Sequence, residues 1–337
     1  MNSNILVIII ASAIFYGTPL FFAALGGIFT ERSGVLNLGV EGTMLLGGVS
    51  GAWASQHVGG SAWFTILMAI IIGMIAGGLT SALLAFLCVT LKTNQTVAGL
   101  AITIFAGTVG LSSYFANIWG VSKNPVPRQI RRLDVFGLAD TPIVGPIIFN
   151  QTILTYVSWV LVVLATVYLF RTRIGLQLRA VGESPQTADA MGINVVKYRY
   201  VHTILGGALA GIGGVFYSLA IVPTWVDGMT KGAGWIAIAL VIFGFWRPSL
   251  TLLGATVEEV AASKLYRCFK IAPFITDLSS ADDESQVAAR KTARLALEID
   301  ARIGNRGQLG LQTAFPFDAA DIAVLLERQE GIAAADI

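Results

Sequence analysis

Charge is scarce in this sequence. Only 12% of its 337 residues are Asp, Glu, Lys or Arg, where a soluble globular protein carries roughly a quarter. Cysteine and histidine are scarcer still. Two cysteines, Cys88 and Cys268, exclude a disulfide framework. Two histidines, His57 and His202, give no metal-ligand spacing with them. The chain offers no nucleophile–His–acid set and no GxxxxGK[ST] phosphate loop. It is therefore expected to be no enzyme, to hold no metal or cofactor, and to leave any ATP hydrolysis to another subunit. Nothing in it points to nucleic acid.

What remains is apolar. Hydrophobic residues make up 55% of the chain, and the mean hydropathy is +0.73. A membrane helix needs about 20 apolar residues. Ile5–Phe29 supplies one uncharged run and is read as a retained span, because no basic N-terminus or small-residue cleavage site marks a signal peptide. Gly42–Leu91 is uncharged and long enough for two passes, with a turn near His57–Ser61. Thr93–Ser122, Thr141–Phe170 and Tyr200–Val226 follow. The fold class is thus all-α, a polytopic membrane helix bundle with one or two broken or re-entrant segments and a polar C-terminal tail. Two stretches carry the breaks. Thr30–Glu41 sets Glu31, Arg32, Asn37 and Glu41 among apolar residues, and Gly234–Ala255 is interrupted by Gly244, Arg247 and Pro248. Unwound backbone at membrane depth survives only inside protein or beside a wet cavity, and paired interrupted segments point to a transport path.

The 37 glycines include the pairs Gly47–Gly51, Gly73–Gly77 and Gly207–Gly211, spaced for close helix contact. Trp119, Trp225 and Trp246 near expected span ends fit interfacial anchoring, as does His202 at a membrane entry. Pro223–Gly234 is placed outside, with Asp227 and Lys231 exposed.

The charge is unevenly distributed. Residues 1–255 carry 13 basic and 7 acidic residues, and residues 256–337 carry 9 basic and 13 acidic. This shift sets the expected domains: a transmembrane domain at 1–255 and a polar, cytoplasmic tail at 256–337. Helices are expected in the tail from Asp282 to about Arg302 and over Ala319–Glu330.

Arg171–Arg199 is a charged loop between two uncharged segments, with five Lys/Arg against Glu183 and Asp189. The positive-inside rule puts it in the cytoplasm. It contains signals for a short helix: Ser184 as N-cap, Pro185 at the first helical position and Gly192 at the end. Such a capped helix suits docking of a soluble partner. The outer loop Lys123–Asp140 is basic too, with Arg128, Arg131 and Arg132, and serves either as a surface for an external partner or as a connector.

Glu41 is the only charge between Val35 and Leu91. An acid facing lipid costs on the order of 2.5 kcal/mol or more, so it faces protein or water. Two readings stand side by side: a group near a translocation path, or a structural acid paired with Arg32 or held by backbone amides. Asn37 lies four residues earlier. Asn94 and Gln95 open the next span, where they cap that helix or contact a solute.

The blocks ERSGVLNLGVEGTMLLGG (31–48), TNQTVAGLAITIFAGT (93–108), GLQLRAVGESPQTADAMGINV (175–195) and ALAGIGGVFYSLA (208–220) resemble permease subunits of bacterial ABC importers of the branched-chain amino acid and ribose type. The resemblance spans roughly residues 15–255 and is greatest to the nucleoside subgroup that works with basic membrane lipoproteins. It implies a bacterial inner-membrane protein transporting nucleosides or a related small polar solute. Its partners would be an ABC ATPase subunit, a second homologous permease, an external substrate-binding lipoprotein and membrane lipid. It further implies that Glu183–Gly192 docks on the ATPase, with Arg179, Ser184, Pro185 and Asp189 in the same loop, and that Asn37–Glu41 lies near the path. Alternatives are a ribose-like sugar or branched-chain amino acid as solute, or an ion-coupled secondary transporter. The family continues past the FGFWRP element (243–248) with further membrane helices, whereas this chain turns polar. The expected cause is a frameshift or fusion, the alternative a genuine extension.

Overall fold

The computed structural model describes residues 3–107, 110–121, 125–134, 141 and 144–257, and the side chains from Val7 onward. The polar tail, its two expected helices and Lys123 lie outside these residues.

Helix α1 (Ser3–Arg32) runs through Pro19 without ending there. After a loop come α2 (Val40–His57), α3 (Ala62–Ala85), α4 (Gln95–Ala106) and α5 (Leu111–Ile118). A two-stranded antiparallel ribbon pairs β1 (Arg132–Asp134) with β2 (Asn150–Thr152), Leu133 opposite Gln151. Then follow α6 (Ile153–Arg171), α7 (Arg173–Glu183), α8 (Pro185–Ala190), α9 (Val195–Phe216), α10 (Ala233–Phe243) and α11 (Pro248–Val257). Single π-helical turns extend α3 over Phe86–Thr90 and α9 over Tyr217–Ile221. Five helical segments are long and apolar enough to cross a membrane: Val7–Arg32, Ala62–Thr90, Gln95–Ile118, Ile153–Arg171 and Val195–Ile221. The protein is a multi-pass helical bundle.

Glycine builds its centre. A Cβ on Gly47 would lie 2.6 Å from Gly211 backbone, and one on Gly77 would lie 2.3 Å from the Gly207 carbonyl oxygen. Gly26 stands equally close to Gly206, and Gly214 to the Met44 carbonyl. The three glycine pairs read from the sequence therefore share one seam, where α1, α2 and α3 close on α9. Lipid is as apolar as leucine, so close backbone packing supplies the attraction that the hydrophobic effect cannot. Phe21, Phe22, Met44, Val215 and Phe216 fill the rest of this core and are fully buried. Trp63, Leu67, Ile71, Ile75, Leu79 and Leu83 recur every fourth residue along α3 and face outward, as a lipid-facing stripe does.

The structure corrects several expectations. The Thr93–Ser122 stretch does supply a span, Gln95–Ile118, but in two pieces: α4 ends at its C-cap Gly107 and α5 begins at Leu111. The loop after α6 is mostly helical: α7 occupies its first half, made amphipathic by Leu178 and Val181, which are buried. Two of the anchoring residues are internal. His202 is buried between the Tyr168 hydroxyl (2.9 Å) and the Tyr198 carbonyl (2.7 Å). Trp225 is buried and donates to Asp227 (3.0 Å). Asp227 and Lys231 are exposed, but the end of their tract dips inward to meet α2.

The loop 125–134 is tied down by backbone bonds from Val126 to Pro223 and from Ile130 to Leu219, each 3.0 Å. The Ser55 hydroxyl at the end of α2 also donates to the Arg128 carbonyl (3.1 Å).

Candidate functional site

The break between α1 and α2 is a loop whose backbone is satisfied partly by the last carbonyls of α1 and partly by side chains, several of them from other helices. Gly34, at φ +81°, makes the turn. The Gln95 side chain accepts from Leu36 N–H (2.8 Å) and donates to the Gly34 carbonyl (3.3 Å). Asn37, fully buried, accepts from Gly39 N–H (2.9 Å) through its own side chain. The Thr103 hydroxyl donates to the Leu38 carbonyl (2.8 Å), and Arg199 Nε–H to the Ser33 carbonyl (3.3 Å). Unsatisfied backbone is expensive in an apolar surrounding, which explains why so many polar side chains converge here.

Glu41 lies in the first turn of α2 and is buried. One carboxylate oxygen accepts from the Thr230 hydroxyl (2.5 Å) and from Gly232 N–H (2.9 Å), and the other accepts from Gly234 N–H (2.6 Å). These donors form the N-terminus of α10. A helix N-terminus presents free N–H groups and partial positive charge, so the acid caps α10 from a different helix. Gly234 has no side chain because a Cβ there would lie 2.5 Å from Glu41 backbone. Gly42, next along α2, packs against Ile102 and Thr103. Those residues lie ~10–12 Å along α4 from Gln95 at 1.5 Å per residue, so the carboxylate sits about two turns in from the exposed start of that helix.

The four residues read as path candidates thus divide. Asn37, Glu41 and Gln95 surround the broken segment and hold backbone. Asn94 stands at the exposed end of α4 and caps it, accepting from Thr96 N–H (3.0 Å) and Val97 N–H (3.2 Å).

The loop residues lie together as well. In α8, Pro185 opens the helix and Gly192 closes it at φ +80°, with Ile193 N–H reaching back to the Ala188 carbonyl (3.0 Å). Ser184 occupies the N-cap position, yet its hydroxyl bonds the Thr187 hydroxyl (2.8 Å) and no backbone amide. Its backbone, at φ −144° and ψ 87°, carries the chain out of α7. Glu183 is the last residue of α7 and not the first of α8. Asp189 lies in α8 and is exposed. Arg179 lies 5.3 Å over the Phe170 ring, which it shares with Arg32 at 6.0 Å.

The sequence placed Glu31 in the first interrupted segment and read Trp246 as an interfacial anchor. The structure joins them: Trp246 Nε1–H donates to Glu31 at 2.6 Å. They line an open pocket of ≈ 390 Å³ with Arg32, Gln95, Arg179 and Glu183. Among the described residues the second Glu31 oxygen and the Arg32 and Arg179 Nε atoms are buried without a hydrogen-bond partner. The signal that pointed here was an acid and a tryptophan at the two interrupted segments, but their separation by 215 residues hid the pairing.

Two broken segments meeting inside a glycine-packed helical bundle point to a transport path. Residues 9–278 match the family described as the permease component of the branched-chain amino acid transport system, and the chain belongs to it. The nucleoside ABC transporter permease of Lactococcus lactis is 37% identical over 75% of this chain and 80% of its own length. The guanosine ABC transporter permease of Bacillus subtilis is 34% identical over 82% and 86%. A Haloferax volcanii protein provisionally named a glucose ABC transporter permease is 41% identical over 71% and 70%. No solved structure matches the chain. The protein is a permease subunit of an ABC importer in the cell membrane, a transport component and not itself a catalyst. That membership sets aside the ion-coupled alternative.

Proposed function

We propose that this permease carries a neutral polyhydroxylated solute, a nucleoside first and a sugar second, and not an amino acid. The observation that carries this reading is the carboxylate of Glu41 on the N-terminus of α10. In transporters with broken helices, a free half-helix N-terminus inside the membrane attracts the anionic group of the substrate. Here the protein's own acid fills that position, so a solute carboxylate finds repulsion in place of attraction. The relatives named for nucleoside, guanosine and glucose transport support the same class, since all three solutes are neutral. The glucose relative is the reason a sugar stays in second place.

In this reading the chain works with an ATPase subunit, a second homologous permease and an external binding lipoprotein. The α7–α8 segment is the cytoplasmic docking element, and 125–134 belongs to the outer face. Residues 1–255 form the transport domain and 256–337 a cytoplasmic tail of frameshift or fusion origin; an unchanged reading frame across codons 250–262 in several isolates would rule the frameshift out.

The test is uptake into proteoliposomes holding the assembled importer. Guanosine or glucose should accumulate only with ATP inside, and leucine should neither accumulate nor compete. Leucine uptake at a comparable rate would overturn the proposal. In the same assay Gly192→Val, or alanines over 183–185, should leave ATP hydrolysis running while uptake falls. Unchanged uptake in both would remove the docking role from α8.

A further inference from the structure

Glu31 and Glu41 bracket one loop, and they grip opposite ends of the same helix. Glu41 binds the N-terminal amides of α10 at 2.6 and 2.9 Å. Glu31 binds Trp246 at 2.6 Å, in the turn that ends α10. That turn holds Phe245 at φ +51° and Trp246 at φ +53°, a left-handed conformation that bulky residues avoid. Such a turn persists when its surroundings over-determine it, and the indole–carboxylate bond is one of the contacts that does so. The loop between the two acids also carries α7. A Cβ on Gly182 would lie 2.4 Å from the Arg32 carbonyl and 3.4 Å from Gly34 N, and Arg199 at the start of α9 is bonded to the Ser33 carbonyl. Backbone touches backbone there, with no soft side chain to absorb a displacement.

We propose that Glu31 and Glu41 form a two-ended clamp that makes α10 move with α7, so that the loop 31–41 transmits motion of the docking segment to a half-length helix inside the membrane. Glu31, Glu41 and Trp246 are positioning residues for transport. This rests on the importer reading above. The contact with α7 drives the loop, the two carboxylates carry α10 with it, and the left-handed turn at 245–246 is where the helix pair α10–α11 bends. The outer side of α10, with Ile242 and Phe243 exposed, is not held by the described part of the chain.

The test measures uptake and ATP hydrolysis together in the reconstituted full importer. Trp246→Phe keeps the ring and removes the N–H; Glu31→Leu removes the acceptor. Each should lower solute moved per ATP at least about fivefold, the lower edge of typical coupling between sites. The double variant should be no worse than either single one, because both cut the same link. Glu31→Gln, whose amide oxygen still accepts the indole N–H, should stay near the wild type. Less assembled complex with an unchanged ratio of uptake to hydrolysis would make the bond merely structural and overturn the clamp, leaving the importer reading intact. A wild-type complex that binds no ATPase would overturn both. In case the variants fail to assemble, nitroxide labels on Phe243→Cys and Val167→Cys, both exposed positions, report the motion in a chain whose Cys88 and Cys268 are replaced by serine and whose clamp is intact. A distance that shifts by several ångströms on adding ATP supports the clamp; an unchanged distance sinks it.

Discussion

Two parts of this bundle are held together by opposite means. Around α9, helices meet through glycine: Gly26, Gly47 and Gly77 face Gly206, Gly207 and Gly211 with no side chain between the backbones. Around α10, helices meet through charge: two carboxylates, one on either side of the loop between α1 and α2, reach the two ends of a short helix. The first arrangement is non-polar, continuous and hard to shift, since any added atom clashes. The second consists of a few directional bonds that hold firmly in one geometry. A transporter needs both, a body that does not yield and an element that does. The difference suggests which is which.

The comparison breaks most severely at the seam. Gly211→Val places a branched side chain where even a Cβ lies 2.4 Å from the Gly73 carbonyl. Overpacking a close contact costs about 3 kcal/mol. The expected outcome is loss of the monodisperse peak when the tagged protein is run on size exclusion in mild detergent. Glu41→Ala should come next. It strands two backbone amides and a hydroxyl, at about 1 kcal/mol each, the low end for groups this near a helix start. The protein should still be recovered, with its melting temperature lowered and α10 opened to hydrogen exchange at 232–236 ahead of the rest. If α9 exchanges first, the clamp is not the softer region. Asn94→Ala removes an N-cap at an exposed helix start, worth ~1 kcal/mol, and should lower the melting temperature modestly without changing the solute profile. A changed profile would put Asn94 at the path and not merely at a helix end. Ser184→Ala sharpens the small end of the scale. Its hydroxyl bonds another hydroxyl and caps no amide, so stability should change by less than about 0.5 kcal/mol.

How far each region could be read in advance follows from its physics. The glycine pairs at four-residue spacing announced themselves, because helix contact in lipid depends on local small-residue spacing. That all three converge on one seam is a statement about three-dimensional neighbours. The α8 helix was legible at both ends, through Pro185 and Gly192, because those residues constrain their own backbone. The α7 helix was not, since five basic residues across the loop masked the buried pair Leu178 and Val181. Asn37, Glu41, Asn94 and Gln95 stood out as polar residues in apolar runs, but two uses of such residues look alike along a chain: facing a solute, or satisfying unwound backbone. The structure places all four on backbone groups.

The sequence by itself determined the class of this protein. Scarce charge, long uncharged runs and two polar interruptions are properties of the solvent each segment must meet, and they do not depend on where other segments go. Only the tertiary structure decided what the interruptions are for. An acid at position 41 and a glycine at 234 carry no mark of each other, and neither do Glu31 and Trp246. Their bonds exist because folding brings a loop and a half-helix together inside the bundle, where a buried carboxylate must find donors and free helix amides must find an acceptor.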